Sequence, residues 1–323
     1  MQLCYIFHPA DSAWALACGG FVMLVSYRGG LQHDAFRRGR GDMRAMTRVG
    51  DDYPGQGNGA NSLHLATAEI NLPILICLLG NFYVLKRGQP VRVSNGGKAE
   101  ALLSALALQS DYCVSRDGLL GILWPNTHSE LAVQSLNSLV YTLHKRLGDA
   151  IGGAAPVLHA DGYYLLNVEA GVGVDVACFD VLAQMGDQHA GAGNQSAAVA
   201  AYDRALHWYR GDVCAGSDLH AVLERERLRA RYLALLTHLA DYHFSEGNYA
   251  ACLDYAQRLL DKDPCREDAH RLIMRCFVRR GERAQALRQY RLCQDILRAE
   301  FDAVPEPATT TLFDTVRLHP DSV

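Results

Sequence analysis

The stretch Ser115–Gly148, SRDGLLGILWPNTHSELAVQSLNSLVYTLHKRLG, decides the fold of this chain. It holds two helical patterns, and Pro125 separates them because proline cannot continue a helix. In the second pattern leucines recur at i, i+3, i+7 and i+11, which aligns them along one side of a helix. These leucines are Leu136, Leu139, Leu143 and Leu147. The stretch therefore predicts two helices joined by a tight turn, the second with one buried face.

The opposite face of the second helix is polar. Its side chains carry amides, hydroxyls and one ammonium group, and they belong to Gln134, Asn137, Ser138, Tyr141 and Lys145. We refer to these five residues as the polar stripe. Such groups can hydrogen bond to base edges in the major groove of DNA. Taken alone, the stripe is also compatible with an ordinary solvated helix face.

Strand patterns surround these helices. Residues 156–166, PVLHADGYYLL, predict a β-hairpin that turns at Ala160–Gly162. Short apolar runs between residues 76 and 93 predict an antiparallel meander, and a further helix is predicted over Lys98–Gln109. Helix, turn, helix and hairpin in this order predict an α+β winged helix-turn-helix domain over residues 73–168. Within that frame we favour DNA contact over a solvated face.

Further contacts to DNA phosphates are predicted at helix ends and in the hairpin, which would act as the wing. The candidates are Lys98, Arg116, Thr127, Arg146 and His159. Thr127 begins the capping-box pattern Thr127–Glu130, and a helix N-terminus offers N–H groups to a phosphate. For each cation the alternative is an ordinary surface charge. For His159 the alternative is a turn without DNA contact.

The rest of the chain is helical and carries a repeat. Gly247 and Gly281 lie 34 residues apart, as do Cys252 and Ala286. A glycine at a helix end, followed by a small residue five positions on, is typical of nested tetratricopeptide helix pairs. The predicted helices span residues 180–188, 195–208, 221–246, 249–262, 267–280 and 283–301. Residues 174–318 therefore predict an all-α, tetratricopeptide-like repeat domain.

The charge distribution bears on nucleic-acid binding. The formal net charge is −4, which argues against indiscriminate binding to nucleic acids. Residues 71–168 hold seven Lys or Arg against six Asp or Glu. Their net charge is positive, whereas residues 1–70 are neutral and residues 169–323 are acidic. We therefore expect weak DNA affinity for a single copy, or dependence on a partner.

Residues 28–70 lack helical or strand periodicity, and for residues 1–72 we predict a disordered extension or translation from a start upstream of the true one. Met43 and Met46 are plausible alternative starts. The apolar run Ala13–Tyr27 has 15 residues and falls short of the roughly 20 that a membrane-spanning helix needs. We therefore expect no membrane association.

No motif of catalysis or metal binding is found in the sequence. The ten cysteines form no CxxC pair, and the thirteen histidines form neither HExxH nor a zinc-finger spacing. The phosphate-binding pattern GxxxxGK[ST] is also missing. We expect a non-enzymatic protein of the reducing cytoplasm, with structural thiols and without cofactor or metal.

Several motifs resemble a known family. Trp124-Pro125, the run Lys145–Gly148 and Gly162-Tyr163 resemble OmpR-like winged helices. The segments 209–212 (YRGD), 280–290 (RGERAQALRQY) and 304–307 (VPEP) resemble the bacterial transcriptional activator domain, which follows such winged helices. Over about residues 75–316 the pair is similar to the Streptomyces antibiotic regulatory proteins.

This resemblance implies a cytoplasmic transcriptional activator that associates with the nucleoid when bound to double-stranded DNA. It implies binding to promoter direct repeats, often as a homodimer, and recruitment of RNA polymerase. The alternative is a protein-interaction adaptor whose winged helix has lost DNA binding. A helix without arginine on its polar stripe and an acidic C-terminal half motivate that alternative.

Overall fold

The computed structural model describes residues 13–18, 21–26, 72–93, 97–126, 129–213 and 219–323. Near the N-terminus, strands β1 (Ala13–Cys18) and β2 (Phe21–Ser26) pair antiparallel. The sequence analysis predicted a disordered extension or a start upstream of the true one here; the two apolar runs pair with each other and so satisfy main-chain groups, and the start of translation stays a prediction. The remainder of residues 1–71 lies outside the described residues. Among the described helices, none has the length and apolar character needed to cross a membrane.

A four-stranded sheet begins at Ile74. It contains β3 (Ile74–Cys77), β4 (Tyr83–Lys86) and β5 (Gln89–Val91), which form the predicted antiparallel meander. A further strand, which we number β9 (Val172–Val174), lies parallel to β3, and the order is β5-β4-β3-β9. No strand was predicted beyond residue 168, because three residues with a central glycine give no readable alternation.

Three helices and a second sheet follow the meander. The helices are α1 (Lys98–Ala107), α2 (Arg116–Leu123) and α3 (Ser129–Leu147). The sheet has the order β6-β8-β7, formed by β6 (Cys113–Ser115), β7 (Val157–Ala160) and β8 (Tyr163–Leu166). The order of helices and hairpin agrees with the sequence-based prediction.

Local chemistry explains where these elements begin and turn. The Ser115 hydroxyl accepts a hydrogen bond from the Gly118 main-chain N–H and caps α2. Asp161 and Gly162, between β7 and β8, have φ of 51° and 81°. A two-residue type I′ hairpin turn requires positive φ at both positions, which Asp-Gly adopts readily.

The leucine stripe of α3 is buried as predicted. Leu136, Leu143 and Leu147 are at most 1% exposed, and Leu139 is half-buried. They face a core that includes Leu102 and Leu106 of α1 and Leu119 of α2, all fully buried. Because this face of α3 is buried, the polar stripe on its other side is turned outward.

The chain divides into two units. The first runs to Cys178 and also takes in Val213–Val222; the second comprises Phe179–Asp212 and Leu223–Val323. The second unit is built from helices. They are α4 (Asp175–Gly191), α5 (Gln195–Trp208), α6 (Leu219–Ser245), α7 (Tyr249–Lys262), α8 (Glu267–Arg279), α9 (Arg283–Phe301) and α10 (Pro307–Leu318). Two of these helices begin at residues that belong to the first unit.

The predicted repeat recurs in the backbone. Gly193, Gly247 and Gly281 each follow a helix and have φ of 80°, 72° and 77°. The residue after each glycine donates its N–H to the carbonyl five positions back, at 2.9, 2.9 and 2.7 Å. This is the hydrogen bond of a Schellman motif, which a glycine accommodates without strain. The small residues five positions on, Ala198, Cys252 and Ala286, are all fully buried.

Helix α10 was not predicted. Its apolar residues complete a cluster with α8 and α9, in which the rings of Tyr290 and Phe313 stack at 4.1 Å. Pro307 occupies one of its first positions, where proline is favoured because the missing N–H needs no partner there. The prolines at 305 and 307 were interpreted only as a family motif, although Pro307 marks a helix start.

Candidate nucleic-acid interface

The polar stripe lies on the exposed face of α3. Its five side chains are all exposed, and that of Tyr141 is 66% accessible. Within the described residues, the side chains of Gln134, Ser138, Tyr141 and Lys145 have no hydrogen-bond or ion-pair partner in the protein. Their donors and acceptors are therefore available to an external ligand.

Asn137 differs from the rest of the stripe, because the hairpin holds its amide. The Tyr164 hydroxyl donates a hydrogen bond to Asn137 Oδ1 at 3.1 Å. The Tyr164 side chain is 1% exposed, and the ring of His159 stacks on it at 4.3 Å with an interplanar angle of 22°. The hairpin and the polar stripe are thus joined by one specific contact.

The Tyr164 hydroxyl is a donor because it stays protonated. Burial raises the pKa of Tyr164, while the nearby positive charge of Arg116 acts in the opposite direction. Sequence analysis did not identify this hydrogen bond.

Lys98, predicted as a phosphate contact, is exposed but makes contacts within the protein. Its Nζ donates to the main-chain oxygen of Leu123 at the end of α2. The same nitrogen lies 5.5 Å from the centre of the Trp124 ring. The ammonium group thus satisfies a carbonyl that the helix end leaves without an intrahelical donor.

Arg146, also predicted as a phosphate contact, belongs to a cluster that joins α3 to the meander. Its guanidinium donates to the Arg92 carbonyl at 2.7 Å, and Lys86 Nζ donates to the Arg146 carbonyl at 2.9 Å. Lys86 Nζ also lies 2.6 Å from a carboxylate oxygen of Asp149. That hydrogen bond lowers the pKa of the Asp149 carboxyl. The cations of this cluster are held by carbonyls and a carboxylate of the protein itself.

Arg116 and His159 remain at the surface beside the stripe. The Arg116 side chain is 48% exposed, and its Nε lies 3.9 Å from Asp117. Arg116 and Gln134 share a shallow groove of about 420 Å³, also lined by Asp117, Leu120, Glu130 and Val133. Thr127 lies outside the described residues, so the capping box proposed for α3 is not seen.

The structure thus brings some predicted residues together and separates others. Arg116 and Gln134 line one groove, while Asn137 and His159 both contact Tyr164. Lys98 and Arg146 belong to contacts at other helix ends. Across residues 72–93, 97–126, 129–213 and 219–323, no group of three or more His, Cys, Asp or Glu is arranged to hold a metal ion.

Comparison with known proteins gives a family match for the helical half and a structural match over most of the chain. Residues 174–317 match the family model of the bacterial transcriptional activator domain, which confirms the predicted resemblance of the helical half. The fold is similar to Mycobacterium tuberculosis EmbR, in a solved structure of that protein with a low affinity phosphopeptide. The TM-score is 0.62 and the identity is 23%, over 76% of this chain and 65% of the EmbR chain. This chain therefore spans less than two thirds of EmbR. No curated protein sequence matches it.

Proposed function

We propose that this chain is a sequence-specific DNA-binding transcriptional regulator of the Streptomyces antibiotic regulatory protein type. In this proposal residues 73–168 form a winged helix-turn-helix that reads promoter direct repeats. Residues 174–318 contact RNA polymerase and mediate homodimerisation, and the protein acts as an activator in the cytoplasm. Two observations support it: an exposed polar stripe beside a hairpin, and the match of the helical half to a transcriptional activator domain.

The exposure of the polar stripe is the main observation that supports sequence-specific contact with DNA bases. One face of α3 is buried by leucines, while four polar side chains on the other have no partner in the described protein. A helix of this kind fits the major groove, where amide, hydroxyl and ammonium groups meet base edges. The β7–β8 hairpin lies beside it as the wing, and the Tyr164–Asn137 hydrogen bond fixes their contact.

Hydrogen bonds from lysine and arginine side chains to main-chain carbonyls limit the number of cations that can contact DNA phosphates. Because Lys98 and Arg146 are held by main-chain carbonyls, Lys145 and Arg116 are the better candidates to approach phosphates. Few neutralised phosphates give a weak electrostatic contribution to affinity. Two copies on adjacent repeats would compensate, because the binding of one raises the effective concentration of the other at its site.

A genome-wide chromatin pull-down of the tagged full chain tests this proposal. We expect focused peaks over a few promoters that share direct repeats. Purified protein should then bind those repeats more tightly than scrambled DNA of the same length in fluorescence anisotropy. Equal affinity for the repeats and the scrambled DNA, together with a lack of promoter peaks, would contradict it.

The second candidate is a protein-interaction adaptor without DNA binding. The hydrogen bonds of Lys98 and Arg146 to main-chain carbonyls favour it, because they leave few cations for phosphates. Under this alternative, anisotropy stays at the level of free DNA even at low salt. Partner proteins would still co-purify with the tagged chain through the helical unit.

A further inference from the structure

We propose that Tyr164 is a positioning residue that turns Asn137 into a reader of hydrogen-bond acceptors. By donating to Oδ1, Tyr164 leaves the Nδ2 amino group of Asn137 as the group that faces DNA. Asn137 then favours a base that presents an acceptor in the major groove and disfavours cytosine. This inference rests on the proposed DNA-binding function and specifies the chemistry of its central residue.

The position of the Tyr164 hydroxyl is set by the fold. Tyr164 belongs to β8, the central strand of its sheet, and pairs with Val114 on one side and His159 on the other. Its ring is buried and covered by the stacked ring of His159. A buried ring on a central strand can move little, so the 3.1 Å hydrogen bond to Asn137 orients the more mobile amide.

The remaining donor capacity of Asn137 points to the type of base it contacts. An amide nitrogen offers two N–H donors, and Asn137 Nδ2 has no hydrogen-bond partner in the described part of the chain. A bidentate contact with adenine requires both the oxygen and the nitrogen of an asparagine amide. The Tyr164 hydroxyl engages one lone pair of Oδ1 and holds this oxygen toward the hairpin, so the contact left to the DNA is made by the Nδ2 donors.

A donor from Asn137 can form a hydrogen bond with three of the four bases in the major groove. Guanine presents N7 and O6, adenine presents N7 and thymine presents O4 as acceptors in the major groove. Cytosine presents only its N4 amino group, which is a donor. The Nδ2 donor of Asn137 therefore meets a partner in three bases and a second donor in cytosine.

A double-mutant cycle with DNA base substitutions tests this inference. The binding site is first selected from random duplexes with the full wild-type chain. Affinities for all four bases at each position are then measured by anisotropy for wild type, Tyr164→Phe, Asn137→Ala and the double variant. Tyr164→Phe removes only the hydroxyl and keeps the buried ring. Tyr163→Phe is the matched control, since its side chain is 51% exposed on the same strand.

We expect one position at which wild type disfavours cytosine by about two- to tenfold, the range of one hydrogen bond. Asn137→Ala should remove this preference. Tyr164→Phe should raise the affinity for adenine relative to guanine and thymine at that position alone, because Oδ1 becomes free to accept from the adenine amino group. In the Asn137→Ala background, Tyr164→Phe should cause no further change, and Tyr163→Phe should match wild type throughout.

Three results would overturn the inference while leaving specific DNA binding intact. One is a wild-type preference for adenine alone at the Asn137-dependent position. Another is a Tyr164→Phe effect that persists in the Asn137→Ala background. The third is an equal loss on every sequence with a lowered melting temperature, which would make Tyr164 purely structural. If the wild type selects no site at all, the proposed function fails together with this inference.

Discussion

The guanidinium of Arg146 donates a 2.7 Å hydrogen bond to the main-chain oxygen of Arg92 and so joins the end of α3 to the loop after β5. Its neighbour Lys145 is exposed and has no partner in the described residues. Two adjacent cations of the same helix therefore have different surroundings. Sequence analysis placed Lys145 in the polar stripe and Arg146 among the phosphate contacts, so both were candidates for contact with DNA.

The substitution Lys145→Ala should weaken binding to every DNA sequence. Loss of one phosphate contact lowers the slope of log affinity against log salt by about one. Titrations of wild type and variant between 50 and 200 mM salt, roughly the range over which such slopes are measured, provide the test. An unchanged slope would exclude a phosphate contact by Lys145.

The substitution Arg146→Ala should instead lower the free energy of unfolding by about 1 kcal/mol and leave the salt slope unchanged, because it removes an intramolecular hydrogen bond. Urea unfolding and the same salt titration check both parts. Since Lys145→Ala removes a cation from the same turn, it is the matched control. A fall in the salt slope for Arg146→Ala would show that this side chain leaves Arg92 to bind DNA.

The carboxylate of Asp175 anchors the start of α4 to the end of β3. It accepts hydrogen bonds at 2.9 Å from the main-chain N–H groups of Leu78 and Leu79, and its side chain is buried. The substitution Asp175→Ala should cost about 1–3 kcal/mol of unfolding free energy per N–H group left without a partner. Asp175→Asn keeps one acceptor and should cost less. Equal stability of Asp175→Ala and wild type in urea unfolding would contradict this role.

Two glycines at the end of α4 should respond in opposite directions to alanine. Gly193 has φ of 80°, so Gly193→Ala should destabilise the protein by about 1–2 kcal/mol. Gly191 is the last residue of α4, and an added Cβ there meets no atom within 4 Å. Gly191→Ala should therefore stabilise the protein by roughly 0.4–1 kcal/mol, because alanine reduces the conformational entropy of the unfolded chain. Thermal unfolding of the two variants measures the difference, and a shift in the same direction for both would contradict it.

His270 should make stability depend on pH. It is fully buried; its Nε2 lies 2.9 Å from the Pro264 carbonyl and its Nδ1 lies 2.8 Å from Gln289 Nε2. Nε2 therefore carries the proton, and Nδ1 accepts from the Gln289 amide. Burial lowers the pKa of His270 from its usual 6.5, against the opposing effects of the Pro264 carbonyl, Glu267 and Asp268.

The pKa of His270 is lower in the folded than in the unfolded state. As the pH falls below 6.5, the unfolded chain therefore binds more protons than the folded chain. The contribution of His270 is thus complete above 6.5 and is lost as the pH falls through the lowered pKa. Urea unfolding of wild type and His270→Gln between pH 7.5 and pH 5 measures this, at intervals of about half a unit. We expect a steeper loss for wild type, and parallel curves would be inconsistent with the prediction.

Much of the fold was predictable because it depends on local patterns. Tyr249–Lys262 and Arg283–Phe301 have the helix limits that their periodicity and flanking glycines predicted. The Asp161-Gly162 turn and the Ser115 cap follow from backbone preferences of two or three residues. Strand β9 and helix α10 were missed, because β9 depends on pairing with a segment about a hundred residues earlier and α10 on packing against α8 and α9.

The sequence by itself determined which faces of the helices are apolar, where the chain turns, and which polar side chains of α3 point outward. It did so because helix period, proline, glycine and capping act over a few residues. Only the tertiary structure decided that Arg146 and Lys98 hold carbonyls and that Tyr164 binds Asn137. The partner of a long or buried polar side chain is the group that folding brings within about 3 Å, and that group lies far away in sequence.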